Sequence, residues 1–109
     1  MDFNAYQKQA RATAMYNGAG KNFAYPALGL CGEAGEVAEK VKRIVRDGRR
    51  EATAEEVEAI SKELGDVLWY IANVASEFGL DLDVIARQNL EKLASRKDRG
   101  VLHGSGDNR

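Results

Sequence analysis

Two stretches of the sequence decide the fold: GLCGEAGEVAEKVK at positions 29–42 and KELGDVLWYIAN at positions 62–73. In both, apolar residues recur every three or four positions, which is the period of one face of an α-helix. Nowhere do β-branched or aromatic residues alternate with polar ones over the length of a strand. The sequence therefore predicts an all-α protein.

Residues that favour helix ends divide the chain into four predicted helices. Pro26 suits the first turn of a helix, because its missing N–H would have no helical partner there, and Gly48 suits a helix end. Thr53 and Glu56 fit a capping box, and Asp81 is a good N-cap for the last helix. The predicted spans are about 2–17, 26–47, 53–78 and 81–97.

The length of 109 residues is that of about one domain. We assign residues 1–98 to a helical domain. The remaining residues, 99–109, are rich in glycine and have little to bury, so they are expected to form a flexible C-terminal tail.

The composition excludes several functional classes. A net charge of −1 provides no basic field for nucleic acid. No apolar run approaches the ~18 residues of a membrane span, and the N-terminus lacks the pattern of a secretory signal. The one cysteine, Cys31, allows neither a disulfide framework nor a thiolate zinc site. We expect a cytoplasmic protein without membrane or nucleic-acid partners.

Acidic residues recur at three-residue steps on both central helices. Glu33 and Glu36 lie on the second helix, and Glu39 continues the series. Glu63 and Asp66 lie on the third helix. A step of three keeps side chains on one helical face, and a helical wheel puts both acidic stripes on the same side of the apolar arc. If the two helices pack antiparallel through those arcs, four carboxylates meet at one rim.

Glycines beside these acids favour a function for the rim. Gly32, Gly35 and Gly65 lie inside the helices, where each costs about 1 kcal/mol relative to Ala, and such glycines often mark the close approach of a backbone or ligand. Crowded carboxylates repel, so a cation is expected among them, and oxygen ligands without His or Cys favour Mg²⁺ or Mn²⁺. The alternative is a solvated acidic face, which is favoured for the second helix alone. The repeated spacing and the glycines favour a metal site for both helices together.

The same residues resemble a known signature. Glu33-x-x-Glu36, followed after 26 residues by Glu63-x-x-Asp66, resembles the E-x-x-E…E-x-x-D pattern of MazG-like nucleoside triphosphate pyrophosphohydrolases. NLEKLASR at 89–96 is similar to the N-x-x-K-x-x-x-R segment of that family. The resemblance covers about residues 5–98. It implies a four-helix MazG-like bundle that assembles as a homodimer or homotetramer.

The resemblance also implies an activity, the Mg²⁺-dependent hydrolysis of nucleoside triphosphates to the monophosphate and pyrophosphate, which clears surplus or non-standard nucleotides. By motif position, the metal ligands would be Glu33, Glu36, Glu63 and Asp66. We choose Glu36 as the catalytic base. Two alternatives remain open: a phosphoribosyl-ATP pyrophosphatase, from a related helical family, and a non-catalytic helical interaction module.

Residues outside the acid pairs complete the predicted site. On the wheel alone Asn89 and Lys92 suit a solvated edge, but the resemblance implies that both bind substrate; Arg96 stays open. Tyr70 and Asn73 lie close to the acidic stripe and are predicted to contact substrate, with ordinary helix packing as an equal alternative.

Trp69 falls on the far side of that stripe from the apolar arc. This position predicts a subunit interface, and therefore a homo-oligomer. A platform for a base is the less simple alternative.

Overall fold

The computed structural model describes residues 1–109 and contains four α-helices and no strand, which confirms the all-α prediction. The helices are α1 (Phe3–Ala12), α2 (Ala24–Arg46), α3 (Ala54–Glu77) and α4 (Leu82–Asp98). None of them combines the length and the apolar run that a membrane span requires.

The predicted signals at the starts of α3 and α4 are confirmed. The hydroxyl of Thr53 accepts a hydrogen bond from the Glu56 amide at 3.1 Å, and the Glu56 carboxylate accepts one from the Thr53 amide at 2.8 Å. This capping box satisfies two N–H groups that have no partner within the helix. Asp81 caps α4 in the same way, through the amide of Val84 at 3.1 Å.

The first helix is shorter than predicted, since α1 ends at Ala12 rather than near residue 17. The hydroxyl of Thr13 donates to the carbonyl of Ala10 at 2.9 Å and accepts from the indole N–H of Trp69 at 2.8 Å. Side-chain bonds of this kind compete with continuation of a helix. The end of α1 thus coincides with a tertiary contact of Thr13, which periodicity does not report.

The antiparallel pair of α2 and α3 forms the body of the molecule. Near its open end, the ring of Tyr70 packs onto Gly29, where an added Cβ would lie 2.2 Å from the ring. At the connecting turn, the guanidinium of Arg49 donates to both carboxylate oxygens of Glu56 at 2.7 Å. These two contacts fix the register between the helices. This is the antiparallel arrangement under which the acids of the two helices were expected to meet.

On its other side, α3 packs against α1, and this contact corrects the interpretation of Trp69. The indole lies against a small core of Ala10, Ala72 and Leu82 inside the chain. It also meets the Tyr70 ring edge-on, with centroids 5.0 Å apart. The prediction that Trp69 points away from the monomer core was wrong, because the wheel considered only the face of α3 that packs against α2.

A buried carboxylate joins α1, α3 and the loop between α1 and α2. The side chain of Glu77 is 1% exposed and accepts hydrogen bonds from Arg11 at 2.7 Å and Tyr16 at 3.0 Å. It also accepts from the backbone amides of Gly20 at 2.7 Å and Asn22 at 2.8 Å. Burial raises the pKa of Glu77, but these donors outweigh burial and lower the pKa to about 2.

The single chain is more open than its length suggests. Its radius of gyration is 16.7 Å, whereas a globular chain of this length has about 13 Å. Val41, Val45 and Leu64 belong to the apolar arcs of α2 and α3, yet they are 43%, 69% and 53% exposed. Pairing α2 with α3 therefore covers only part of their apolar arcs.

The segment 99–109 contains turns and no helix, and it folds back onto α4 through Asp107. The domain boundary at residue 98 and the flexibility of this segment stay predictions.

We expect Glu77→Gln to lower the melting temperature at pH 7 by at least about 5 °C, because an uncharged amide is a weaker acceptor for these four donors. The folded pKa of about 2 lies below the ordinary value for Glu of about 4.3. The stabilisation is therefore present above about pH 4.3 and is lost as the pH falls toward 2. Circular-dichroism melts at pH 7 and pH 3 test this.

The matched control is Glu58→Gln, the same change at a side chain of α3 that is 71% exposed. Equal melting temperatures for the two variants at pH 7 would show that the Glu77 contacts do not stabilise the fold.

Candidate functional site

The α2–α3 pair brings together three of the four predicted metal ligands. Glu33 projects from α2, and Glu63 and Asp66 project from α3. One carboxylate oxygen from each lies within 4.8 Å of the others. Glu33 and Glu63 are partly buried, and Asp66 is exposed. We call these three residues the acid cluster.

The crowding of the acid cluster shifts the pKa values of two of its members in opposite directions. A hydrogen bond with Glu63 raises the pKa of Glu33, followed by burial and the charges of Glu63, Asp66 and Glu36. Two carboxyl groups form such a bond only when one of them is protonated. The same bond, together with the ammonium of Lys40 at 3.3 Å, lowers the pKa of Glu63.

The geometry of the acid cluster suits a hard divalent cation. Mg²⁺ binds oxygen at about 2.0–2.1 Å in an octahedron, so neighbouring ligands lie about 2.9 Å apart and opposite ligands about 4.2 Å apart. The three oxygens lie within 4.8 Å of one another, so modest side-chain rotations would bring them to these spacings. The donors are all carboxylates, which Mg²⁺ and Mn²⁺ prefer over the sulfur and nitrogen ligands typical of zinc.

Glu36 lies outside the acid cluster, although it was predicted as a ligand. It is exposed, one helical turn after Glu33, and makes no ion pair. The next acid along, Glu39, pairs with Lys42 at 2.9 Å and Arg43 at 3.6 Å on the surface of α2. The solvated-face interpretation thus describes Glu39 but not the three clustered acids.

The two residues of α3 that were predicted to contact substrate, Tyr70 and Asn73, have different surroundings. Tyr70 lies beside the acid cluster, and its pKa is raised by burial first, then by Tyr25 and by the charges of Glu33 and Asp66. Asn73 is 0% exposed. Its amide oxygen accepts from Arg11 at 3.2 Å and its nitrogen donates to the Trp69 carbonyl at 3.1 Å. The structure therefore contradicts a substrate contact for Asn73, because α1 covers it.

The predicted residues of α4 do not meet the acid cluster within one chain. Helix α4 packs mainly against α1 rather than against α2. Asn89 and Lys92 line a separate cavity of about 330 Å³, and the ammonium of Lys92 lies 2.9 Å from the Asp107 carboxylate.

Two features of the site were missed from sequence. Nothing in this chain lies within 4 Å of a Cβ added at Gly32, Gly35 or Gly65, and the close approach within the chain is that of the Tyr70 ring to Gly29. The approach of a ligand to the three glycines stays a prediction. Lys40, which was not among the predicted site residues, contacts Glu63. Its position seven residues after Glu33, two turns along the same face, is a signal that points to this contact.

A family model described as the MazG nucleotide pyrophosphohydrolase domain matches residues 25–101, which include both acid pairs and the segment 89–96. The chain belongs to this MazG family. The resemblance seen in the sequence is thereby confirmed, and membership supports a nucleotide pyrophosphohydrolase activity in general terms. MazG proteins generally use divalent metals, in agreement with the acid cluster.

Among curated proteins, the chain is similar to the Gene 37 protein of Mycobacterium phage L5. The two are 47% identical over 114 residues, and the match covers 100% of both chains. No solved structure matches the chain.

We expect Mg²⁺ to stabilise the protein beyond the effect of ionic strength, since a ligand that binds only the folded state contributes about 2.7 kcal/mol at 100 times its dissociation constant. Glu33→Gln should melt at or above the wild-type temperature without metal, because it removes one of the crowded charges, and should gain little from Mg²⁺. Melts in Mg²⁺ and in NaCl of equal ionic strength measure both effects.

Glu39→Gln is the control on the same helix, and it should respond to Mg²⁺ as the wild type does. If Mg²⁺ and NaCl shift all three proteins equally, the acid cluster does not bind the cation.

Proposed function

We propose that this MazG-family protein hydrolyses nucleoside triphosphates to the nucleoside monophosphate and pyrophosphate, using Mg²⁺ or Mn²⁺ held by the acid cluster. The observation that carries the proposal is the convergence of Glu33, Glu63 and Asp66 from two helices. A solvated acidic face gives no reason for carboxylates to crowd together. A nucleotide substrate also agrees with action in the cytoplasm.

When bound, the cation would neutralise phosphate oxygens and make a water molecule more acidic. The remaining roles fall to side chains of this chain. Glu36 is exposed and free of ion pairs beside the acid cluster, which supports our choice of it as the base that accepts a proton from the attacking water. Lys40 holds the carboxylate of Glu63 in place through their ion pair.

We propose further that the protein acts as a homodimer or homotetramer. The exposed apolar side chains Val41, Val45 and Leu64 lie along the arcs of α2 and α3, and the open shape of the chain leaves room for a second copy. Single exposed apolar residues are ordinary, but a continuous apolar face marks an interaction surface. A second copy could also bring the polar residues of α4 to the acid cluster.

The direct test is an assay of pyrophosphate release from a panel of nucleotides with Mg²⁺. Glu36→Gln should lower kcat by about 10²–10⁴-fold, the usual contribution of a general base, and Asp66→Asn should also abolish most turnover. Glu39→Gln is the control and should keep wild-type activity. Of these three variants, only Asp66→Asn should weaken Mg²⁺ binding.

The panel should include phosphoribosyl-ATP. Preferential hydrolysis of that compound would identify the protein as a phosphoribosyl-ATP pyrophosphatase, the enzymatic alternative. If no nucleotide releases pyrophosphate, the result favours a non-catalytic interaction module and contradicts the proposed function.

For the assembly, sedimentation at micromolar concentration should give a dimer or tetramer. Val45→Asp should shift it toward the monomer, because a charge on the apolar face opposes burial. Met15→Asp places the same charge at an exposed apolar residue of the loop and is the control. A monomeric wild type would contradict this proposal.

A further inference from the structure

The C-terminal segment places a carboxylate on two basic side chains of α4. Asp107 accepts hydrogen bonds from the Lys92 ammonium at 2.9 Å and from Nη2 of Arg96 at 3.2 Å. The backbone carbonyl of Asp107 also accepts from Nη2 of Arg96. Arg109 holds the tail, residues 99–109, in a folded form. Its guanidinium donates to the carbonyls of Val101 at 3.0 Å and Leu102 at 2.9 Å.

Arg96 is incompletely satisfied by this arrangement. Its side chain is only 6% exposed, and its Nε is buried without any hydrogen-bond partner. Nε and Nη2 lie on the same edge of the guanidinium, the edge that binds two oxygens of one anion side by side. Because Asp107 uses Nη2 alone, one strong donor of this edge is left unpaired, which is unfavourable in a buried place.

A phosphate group would satisfy these donors better than Asp107 does. Its oxygens can accept from Nε and Nη2 of Arg96 together and from the Lys92 ammonium at the same time. Lys92 is 38% exposed and lines the cavity of about 330 Å³ with Asn89, so there is space next to it for the rest of a ligand.

We propose that Asp107 of the same chain occupies the basic pair of Lys92 and Arg96 whenever no phosphate ligand is bound there. The tail thus competes with the phosphates of the substrate. The substrate part of this inference rests on the proposed function. The competition itself rests on the contacts of Asp107 and on the unpaired Nε.

The test uses inorganic tripolyphosphate as the probe, with the full chain in metal-free buffer so that the acid cluster does not contribute. A tail that is docked about nine-tenths of the time weakens the apparent affinity of its competitor about tenfold. Calorimetry should therefore show about tenfold tighter binding to Asp107→Asn than to the wild type, and Lys92→Ala should bind more weakly than both.

Asp98→Asn is the matched control, since it removes one negative charge from the end of α4 without touching Lys92 or Arg96. Equal affinities for Asp107→Asn and Asp98→Asn would overturn the proposal. A lower melting temperature for Asp107→Asn without any gain in affinity would also overturn it, by showing that the tail is a structural clasp alone.

A hydrolysis assay with nucleotides distinguishes this inference from the proposed function. If nucleotides are hydrolysed, Asp107→Asn should lower KM by a factor similar to its gain in tripolyphosphate affinity. If no nucleotide is hydrolysed, the proposed function fails, while the tripolyphosphate experiment still decides whether Asp107 competes for the pair.

Discussion

Carboxylates on neighbouring helices repel, so the register of α2 against α3 must be held by contacts other than those of the acid cluster. The ring of Tyr70 over Gly29 holds one end of the pair, and the two hydrogen bonds from Arg49 to Glu56 hold the other. Between them, Lys40 offsets part of the negative charge. Packing thus holds the carboxylates close together against their repulsion, and the retained repulsion would favour the binding of a cation.

Helix α3 contacts α2 at the acid cluster and again, one turn later, at Tyr70. The second half of α3 is also crossed by α1 and by the loop that Glu77 holds. Asn73 lies two helical turns after Asp66 on nearly the same face, yet it is buried because α1 crosses there. The crossing therefore limits the accessible acidic face to the part of α3 near Asp66.

Features that depend on local sequence were predicted well: four helices, the capping box at Thr53 and the membership of the MazG family. Features that depend on contacts between distant residues were not. Trp69 needs Thr13 as a partner, and Glu77 collects donors from the loop before α2, which no helical period encodes. The wheel predicted one rim of four acids, whereas the actual packing brings three together and leaves Glu36 outside.

The central claim is that the acid cluster binds a divalent cation, and electron paramagnetic resonance of Mn²⁺ measures this directly. Binding removes the sharp signal of the hydrated ion, so the signal remaining reports free Mn²⁺. We expect saturable uptake by the wild type, competition by Mg²⁺, loss of uptake in Glu63→Gln and retention in Glu39→Gln. Uptake that is absent from the wild type, or that Glu39→Gln lowers as much as Glu63→Gln does, would contradict it.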